Sequence, residues 1–330
     1  MVILSADIGG TKTLLQLCDI GNHQLNIIYQ QRLISGEYKS FDQALDVFLQ
    51  DQPKPQIACL AVAGPVATDN EKQSVQVTNL PWKIDNLKLA AQFDIPVVKI
   101  INDFKAIGYG IEVLNRDDIL VLQEGQAQAG TRKVIIGAGT GLGEALLIYQ
   151  QNRYEVYGME GGHADYAPVL DIEFKLASYL RKKYPRISCE TVLSGQGIVN
   201  IYHFLEQQHP DLVDPELSKR LTTGNPAAIS HAALEDSQSL AARAMTLFIT
   251  IYGSQAGNLA LTTLPYDGLY IAGGIATKNV PFMQSQVFLK AFSNKSPMQK
   301  LLEKIPVKLI LNQQAGLLGA RQLAYRLSEK

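Results

Sequence analysis

Residues 6–13 read Ala-Asp-Ile-Gly-Gly-Thr-Lys-Thr and continue an apolar run that begins at Val2. An apolar run that ends in an acid and two glycines predicts a strand, a tight turn and a second strand. Residues 137–143, which read Gly-Ala-Gly-Thr-Gly-Leu-Gly, show the same pattern in the second half of the chain. We interpret the pair as a duplicated hairpin whose glycine turns face each other across a cleft and clamp a phosphate from two sides.

The first third of the chain alternates strands and helices in the order β-β-β-α-β-α-β-α, which predicts a mixed α/β sheet. Its predicted strands are Val2–Asp7, Thr13–Asp19, Leu25–Arg32, Ile57–Val62 and Val97–Ile101, and its predicted helices are Phe41–Leu49, Asp85–Phe93 and Phe104–Gly110. A second unit begins near Leu114, with predicted strands Lys133–Gly137, Ala145–Gln150, Gly268–Gly273 and Val307–Leu311. Its predicted helices are Leu170–Lys183, Gly197–Gln207, Pro226–Glu235 and Leu240–Leu261, and an amphipathic helix Gln314–Leu327 closes the chain.

Composition argues against several classes of protein. The 330 residues, 46% hydrophobic and 18% charged, suggest about two globular domains. With 30 basic and 31 acidic side chains, no positive surplus favours nucleic acid or an anionic membrane as a partner. No signal-peptide pattern and no apolar run of about 18 residues is present. The three scattered cysteines predict neither a zinc site nor disulfides, and we expect reduced thiols in the cytoplasm.

The first glycine loop has the residue types of a phosphate site. Gly9 and Gly10 let backbone N–H groups approach a phosphate closely, and the hydroxyls of Thr11 and Thr13 add donors. Asp7, at the end of the preceding strand, can hold Mg²⁺ through water, because Mg²⁺ prefers hard oxygen ligands. A tight hairpin in which Asp7 bonds its own turn explains the same residues without any ligand.

The second loop carries Gly139, Thr140 and Gly141. It is not a G-x-G-x-x-G motif, because Leu142 stands where the last glycine should be, and it lacks the GK[ST] of a Walker A motif. These two differences argue against a Rossmann or P-loop protein. A glycine-rich turn between two strands is still suited to hold a phosphate.

Asn102 and Asp103 follow a buried strand and precede a helix. The carboxyl ends of strands are where α/β sheets place their sites. A carboxylate at Asp103 can accept the proton of an attacking hydroxyl group. The alternative is a helix N-cap, a frequent role for both Asp and Asn.

An acid and an imidazole flank two glycines in Glu160-Gly161-Gly162-His163. A carboxylate together with an imidazole suits sugar hydroxyls, which need both acceptors and donors. A metal half-site is the less favoured interpretation, because no third ligand is near in sequence. Glu190 is another candidate hydroxyl acceptor, or else a solvated carboxylate at the start of a helix.

Three further turns are candidates for the wall of a site. Gly64-Pro65 follows a strand, and Asn79 lies in a turn just before the only tryptophan. Gly273-Gly274 ends a strand, where an adenine could lie on bare backbone. Each can equally be an ordinary turn or helix cap.

Taken together and in order, these segments resemble the bacterial glucokinase family of the hexokinase–actin superfamily. The resemblance covers nearly the whole chain and rests on ADIGGTKT (6–13), AVAGPV (61–66), TNLPW (78–82), INDF (101–104), GAGTGLG (137–143), EGGHADYAP (160–168), ETVLSGQG (190–197) and IAGGI (271–275). The zinc-binding cysteine cluster of the ROK-type sugar kinases is absent, so the chain resembles the zinc-free branch.

The resemblance implies a role for each candidate residue. Asp103 matches the catalytic base, which takes the proton from the 6-hydroxyl of glucose as that hydroxyl attacks the γ-phosphate of ATP. The implied sugar-binding residues are Asn102, Asp103, Glu160, His163, Glu190, Gly64, Pro65 and Asn79. The implied ATP-binding residues are Asp7, Gly9, Gly10, Thr11, Lys12, Thr13, Gly139, Thr140, Gly141, Gly273 and Gly274. Asp7 is also the implied Mg²⁺ residue, with no zinc.

The implied architecture is the two-domain actin-like ATPase (ribonuclease H-like) fold, an α/β fold of mixed sheets flanked by helices with a cleft between the domains. Residues 1–110 and 314–330 would form a small domain and residues 111–313 a large one. The family also implies a homodimer, for which we find no feature in the sequence. The cytoplasmic location and the lack of nucleic-acid or membrane partners are expected from the composition alone.

Three alternatives to a glucose-specific enzyme stay open. A hexose kinase of broader specificity would share all these segments. A non-catalytic sugar sensor on the same fold is disfavoured, because no DNA-binding helix pair precedes Val2. An ATPase without a sugar acceptor is disfavoured, because it would not need the hydroxyl-binding cluster. The segments do not separate ATP from ADP or polyphosphate as the phosphoryl donor.

Overall fold

The computed structural model describes residues 1–21, 24–221 and 225–329. The chain divides into two compact units. The first unit comprises Met1–Arg116, Tyr154–Gly158 and Asn312–Lys330, and the second comprises Asp117–Arg153 and Met159–Leu311. The functional domain boundaries expected from the sequence, at 110/111 and 313/314, stay a prediction.

Strands and helices alternate through much of the described chain. The strands are β1 (Val2–Ile8), β2 (Lys12–Gly21), β3 (Gln24–Ile34), β4 (Ile57–Val62), β5 (Val66–Asp69), β6 (Lys72–Gln76), β7 (Lys83–Asp85), β8 (Val97–Asn102), β9 (Ile119–Gln123), β10 (Lys133–Ala138), β11 (Leu142–Gln150), β12 (Arg153–Met159), β13 (Gly268–Ala272) and β14 (Val307–Ile310). The helices are α1 (Phe41–Leu49), α2 (Asn86–Phe93), α3 (Asp103–Gly110), α4 (Asp171–Leu180), α5 (Cys189–Val192), α6 (Gly195–Gln208), α7 (Pro215–Leu221), α8 (Ala227–Glu235), α9 (Leu240–Thr263), α10 (Gly274–Lys278), α11 (Val280–Gln284), α12 (Gln286–Ser293), α13 (Gln299–Leu302) and α14 (Ala315–Ser328). Short 3₁₀ turns, among them Gly161–His163, connect some of them.

The main sheet of the first unit is mixed, as predicted, with the strand order β3-β2-β1-β4-β8. The first three strands form an antiparallel meander, while β1, β4 and β8 run parallel. Every residue of β4 is buried, because a parallel strand in the middle of such a sheet is covered on both faces. Helices α1 and α2 contribute to a core with this sheet, in which Trp82 is buried, and α14 packs against β1 and β4.

Helices α3 and α14 pack unusually closely in the first unit. A Cβ atom placed on Gly319 would lie 1.7 Å from the carbonyl oxygen of Ala106, and one on Gly110 would lie 2.3 Å from that of Ala315. Because both glycines lack a side chain, the two backbones can touch. The buried Arg326 of α14 also donates a 2.8 Å hydrogen bond to the carbonyl oxygen of Tyr154. The predicted closing helix is therefore confirmed.

The second unit contains strands in the order β11-β10-β13-β14-β9. Strands β10, β13 and β14 are parallel, while β11 and β9 are antiparallel to their neighbours. Helix α9 is apolar on most of its surface and is buried among α6, α8 and α12. None of the described helices combines the length and the apolar character that crossing a membrane requires.

Both glycine hairpins are confirmed. Ile8 pairs with Thr13 in the first, and Ala138 pairs with Leu142 in the second. Strand β11 begins at Leu142 rather than at Ala145 as predicted, because Gly143 pairs with Gly137 in the ladder. The three-stranded sheet β5-β6-β7 was not predicted, since its strands are short and mostly lack a continuous apolar run.

Candidate active site

Three parallel strands of the first unit end side by side. Ile8 of β1 is in register with Val62 of β4, and Val62 is in register with Asn102 of β8. The segments that follow these strand ends are the first glycine loop, the Gly64-Pro65 turn and the start of α3. The sheet therefore collects several predicted site residues of this unit at one edge.

The side chain of Ser35 supports the first glycine loop through hydrogen bonds. The Ser35 hydroxyl donates to the carbonyl oxygen of Gly9 at 2.9 Å, and it lies 3.0 Å from the hydroxyl of Thr13. Thr13 is fully buried, so its hydroxyl supports the loop from inside. Thr11 and Lys12 are exposed at the tip of the hairpin, where their side chains can reach a ligand.

Asn79 lies against the same loop. A Cβ atom placed on Gly10 would be 3.3 Å from the Cβ atom of Asn79 and 3.1 Å from the carbonyl oxygen of Thr78. Asn79 has a φ angle of +63°, a left-handed conformation that asparagine tolerates better than most residues. Gly64 has a φ angle of +148°, and Pro65 after it is exposed. Asn79 therefore lies beside the first glycine loop, and Gly64 lies beside the neighbouring residue Thr78.

Asn102, rather than Asp103, is the N-cap of α3. Its side-chain oxygen accepts hydrogen bonds from the N–H groups of Phe104 at 2.9 Å and Lys105 at 3.3 Å. Its amide nitrogen donates to a carboxylate oxygen of Asp103 at 2.8 Å and to the carbonyl oxygen of Gly64 at 3.4 Å. Asp103 occupies the first turn of the helix, with its carboxylate held by the cap residue and by the Phe104 N–H.

Asp7 lies close enough to Asp103 for their charges to interact. Burial raises the pKa of the Asp7 carboxyl to about 7, and the Asp103 carboxylate acts in the same direction. A Cβ atom on Gly316, near the start of α14, would lie 3.1 Å from an Asp7 carboxylate oxygen. A bound cation would offset both the lost hydration and the repulsion. The first unit therefore holds two neighbouring carboxyl groups whose charges repel each other.

The second glycine loop, which joins β10 to β11, has open space beside Gly139. A Cβ atom placed on Gly139 or on Gly274 would meet no other atom within 4 Å. Gly273, by contrast, has a φ angle of +90°, and a Cβ there would lie 2.4 Å from the carbonyl oxygen of Ala138. Packing within the protein therefore requires glycine at 273, and the open space above Gly139 and Gly274 suits a ligand that lies on bare backbone.

The same loop is tied to the start of α6. The Gly195 N–H group donates to the carbonyl oxygen of Gly139 at 2.8 Å, and the Ser194 hydroxyl caps the helix by accepting from the Gly197 N–H. Exposed Thr140 lies at the turn. A helix N-terminus beside a glycine loop adds partial positive charge where a phosphate would bind.

Glu190 contacts the end of this loop. Its carboxylate accepts a 2.8 Å hydrogen bond from the Leu142 N–H group. A Cβ atom placed on Gly141 would lie 2.4 Å from the same carboxylate oxygen. Glu190 is therefore a fixed side chain next to the glycine loop, which differs from the solvated carboxylate considered above.

Glu160 precedes and His163 ends the 3₁₀ turn Gly161–His163, which lies directly on β11. A Cβ atom on Gly162 would lie 2.1 Å from the carbonyl oxygen of Leu142. The carboxylate of Glu160 is 3.9 Å from the His163 ring nitrogen, and both side chains are largely exposed. Because Leu142 contacts Glu190 on one side and this turn on the other, the structure brings all three predicted sugar-binding residues of the second unit to one strand end.

Comparisons with known proteins show the family to which this chain belongs. A family model described as Glucokinase matches residues 4–327. The glucokinase of a Nostoc species is 45% identical to this chain, with 99% of each chain covered. The chain belongs to the glucokinase family. The glucokinase of a Synechocystis species, 42% identical over 96% of both chains, supports the same assignment.

Solved glucokinase structures have the same fold. The glucokinase of an Antarctic psychrotroph superposes with a TM-score of 0.83 at 31% identity, covering 98% of this chain and 99% of that one. The glucokinase of Balamuthia mandrillaris, solved in complex with glucose, has a TM-score of 0.82 at 23% identity and covers 98% and 93%. The predicted α/β fold of a two-domain actin-like sugar kinase is confirmed.

Three residues that contact the candidate site segments of one unit or the other were missed by the sequence analysis. Ser35 supports the first loop, Glu144 lies under the turn that carries Glu160 and His163, and Arg186 donates to the His163 carbonyl oxygen at 3.0 Å. A charged residue directly after a glycine loop, at a position that strand alternation places in the core, was a signal for Glu144. Ser35 and Arg186 left no such signal, because their partners are distant in sequence.

Few side chains in the described residues could bind a divalent cation together. In residues 1–21, 24–221 and 225–329, no group of three or more His, Cys, Asp and Glu side chains could hold a metal ion by itself. Mg²⁺ in kinases is commonly bound by one or two carboxylates together with substrate phosphates and water. Asp7 with Asp103 nearby fits that pattern.

Proposed function

We propose that this chain transfers the γ-phosphoryl group of ATP to the 6-hydroxyl of glucose, giving glucose 6-phosphate and ADP. The observation that carries the proposal is the position of Asp103. Its carboxylate follows the end of a parallel strand and is held by Asn102, which is the N-cap of α3. Membership of the glucokinase family supports the same activity.

Asp103 is the proposed general base. It accepts the proton of the sugar 6-hydroxyl as that oxygen forms its bond to the γ-phosphorus and the bond from phosphorus to the β,γ-bridging oxygen breaks. ADP leaves with that oxygen. The Asn102 amide fixes the carboxylate in its orientation, which matters because phosphoryl transfer depends mainly on positioning and charge stabilisation.

The sugar hydroxyls are proposed to bind polar side chains. Glu190 is anchored by the Leu142 N–H group, and Glu160 with His163 supplies an acceptor and a ring nitrogen on a glycine turn. An ionised carboxylate accepts and imidazole can donate, so the set matches vicinal hydroxyls. The remaining proposed sugar-binding residues are Asn102, Asp103, Gly64, Pro65 and Asn79.

ATP is proposed to bind the two glycine loops. The proposed contacts are Asp7, Gly9, Gly10, Thr11, Lys12, Gly139, Thr140, Gly141, Gly273 and Gly274, with Thr13 acting through its hydroxyl contact to Ser35. Asp7 would hold Mg²⁺ through water. When bound, Mg²⁺ neutralises charge on the transferring phosphates. The open space above Gly139 and Gly274 supports this assignment.

The domain boundaries, the homodimer and the cytoplasmic location are parts of the same proposal. The three cysteines are free and buried, which fits a reducing compartment. Light scattering on the purified chain tests the homodimer.

The decisive test of the activity is ADP release with and without sugar. We expect ADP release to require glucose, and glucose 6-phosphate to form in equal amount. Mannose and glucosamine as acceptors, and ADP and polyphosphate as donors, set the specificity. Sugar-independent ADP release would indicate an ATPase, glucose binding without turnover would indicate a sensor, and equal kcat/KM for several hexoses would indicate a broader hexose kinase.

A further inference from the structure

The turn Gly161–His163 rests on a buried carboxyl group. A Cβ atom placed on Gly161 would lie 1.9 Å from a carboxylate oxygen of Glu144 and 2.7 Å from its Cδ atom. Such distances are far shorter than any van der Waals contact, so the Glu144 side chain occupies the space that a side chain at position 161 would need. The height of the turn above β11 is therefore set by Glu144 as well as by Leu142.

Glu144 is an unusual residue for the core. Only 3% of its surface is exposed, and the Gln255 side-chain amide donates to it at a long 3.5 Å. Burial raises the pKa of the Glu144 carboxyl above its ordinary value, while the Gln255 hydrogen bond acts against that rise. Burying such a group costs free energy that an apolar side chain would not. Its placement under the turn gives this cost a functional reason.

We propose that Glu144 is a positioning residue for sugar binding: its carboxyl group fills the space beneath Gly161 and holds Glu160 and His163 where they reach sugar hydroxyls. The inference rests on the proposed function, which assigns Glu160 and His163 to the sugar. Glu144 itself is buried and does not touch the substrate.

The effect should be confined to the sugar. The nucleotide loop turns at Gly139–Gly141. A Cβ atom placed on Gly139 would meet no atom within 4 Å, so Glu144 does not contact that position. Glu190 is held separately through the Leu142 N–H group. Loss of the Glu144 side chain therefore leaves the proposed phosphate contacts in place and lowers the turn that carries Glu160 and His163.

A double-mutant cycle between Glu144 and Gly161 tests the inference. Glu144→Ala is expected to raise the KM and the calorimetric Kd for glucose about tenfold or more, with the KM for ATP nearly unchanged. Gly161→Ala alone should have an effect at least as large, because its Cβ meets the carboxylate. In the double variant the new Cβ fills the vacated space, so glucose affinity should be no weaker than in the worse single variant. Glu144→Gln keeps the shape and should restore most of the affinity.

Glu173→Gln is the matched control, because Glu173 is equally buried in the same unit and bonds Tyr166 and Val169 instead. It should leave the glucose KM unchanged.

The inference is overturned if Glu144→Ala binds glucose like the wild type, or if the effects of the two alanine substitutions on glucose binding simply add. If Glu144→Ala does not fold, the glucose Kd values of Glu144→Gln and Gly161→Ala test the inference instead. A wild-type chain that neither binds nor phosphorylates glucose overturns the proposed function and this inference with it, whereas an active wild type with insensitive variants overturns the inference alone.

Discussion

The side-chain amide of Asn102 donates a 2.8 Å hydrogen bond to a carboxylate oxygen of Asp103. The oxygen of the same amide caps α3 by accepting from Phe104 and Lys105. Two roles for Asp103 were open from the sequence, proton acceptor or helix cap. Since Asn102 is the cap, substitutions at the two positions now separate catalysis from helix stability.

Asp103→Asn should lower kcat about 10²–10⁴-fold, the usual contribution of general-base catalysis. The amide keeps the shape of the carboxylate but cannot accept the proton of the 6-hydroxyl. Because Asn102 remains the cap, the melting temperature should stay close to that of the wild type. A coupled ADP assay measures kcat, and calorimetry checks that glucose still binds. Near-normal turnover would remove the catalytic role from Asp103.

Asn102→Ser and Asn102→Ala form a matched pair. Both lose the donor to Asp103, so both should lower kcat by roughly tenfold or more, the scale of a hydrogen bond to a charged group. Serine retains a capping oxygen, whereas alanine should lose about 1 kcal/mol of unfolding free energy. Urea denaturation and steady-state kinetics separate the two effects. Wild-type kcat in the serine variant would show that the amide does not orient the base.

Gly139→Ala and Gly141→Ala should affect different substrates. A Cβ on Gly139 meets no protein atom within 4 Å, so the variant should fold normally and raise the KM for ATP by occupying space above the loop. A Cβ on Gly141 would come within 2.4 Å of the Glu190 carboxylate, so it should displace Glu190 and raise the KM for glucose. Kinetics with each substrate varied in turn test this. An increase in the glucose KM that is as large in Gly139→Ala as in Gly141→Ala would contradict the proposed contact between Gly141 and Glu190.

Asp7 should make the stability of the ligand-free protein depend on pH. The pKa of its carboxyl is raised from 3.8 to about 7 on folding, so the folded state binds more protons between these values. Stability from this group is then fully present below about pH 4 and is lost as pH rises through 7. Relative to Asp7→Asn, which cannot titrate at this position, the wild type should lose a few kcal/mol of unfolding free energy at most as pH rises from about 4 to 7. Each unit of pKa difference corresponds to about 1.4 kcal/mol.

Chemical denaturation of both proteins from pH 5 to about pH 8 measures this difference. Saturating Mg²⁺ with a non-hydrolysable ATP analogue should reduce it, because a cation near Asp7 favours the ionised carboxylate. Parallel pH profiles of the wild type and Asp7→Asn would argue against the raised pKa. An unchanged difference with Mg²⁺ and nucleotide would argue against Asp7 as the cation site.

Local signals predicted most of the framework. A short apolar run that ends near a glycine, such as Ile57–Val62 before Gly64, is a pattern of neighbouring residues. The strand that it predicts is present in the structure. Strands β5 to β7 were missed, because half-exposed short strands carry little apolar periodicity. The start of β11 was misplaced, since only pairing with Gly137 shows that Gly143 belongs to a strand.

The sequence by itself determined most strands of the two main sheets, several of the longer helices, the two glycine hairpins and the segments that carry Asp103 and Glu160. Only the tertiary structure decided that Asn102 caps α3, because pairing with Val62 of β4 extends β8 to Asn102 and leaves it in the extended conformation of a cap. The contact between Glu144 and Gly161 likewise depends on how the turn Gly161–His163 packs on β11. Local patterns follow from neighbouring residues, whereas caps and buried contacts follow from packing between segments that are distant in the chain.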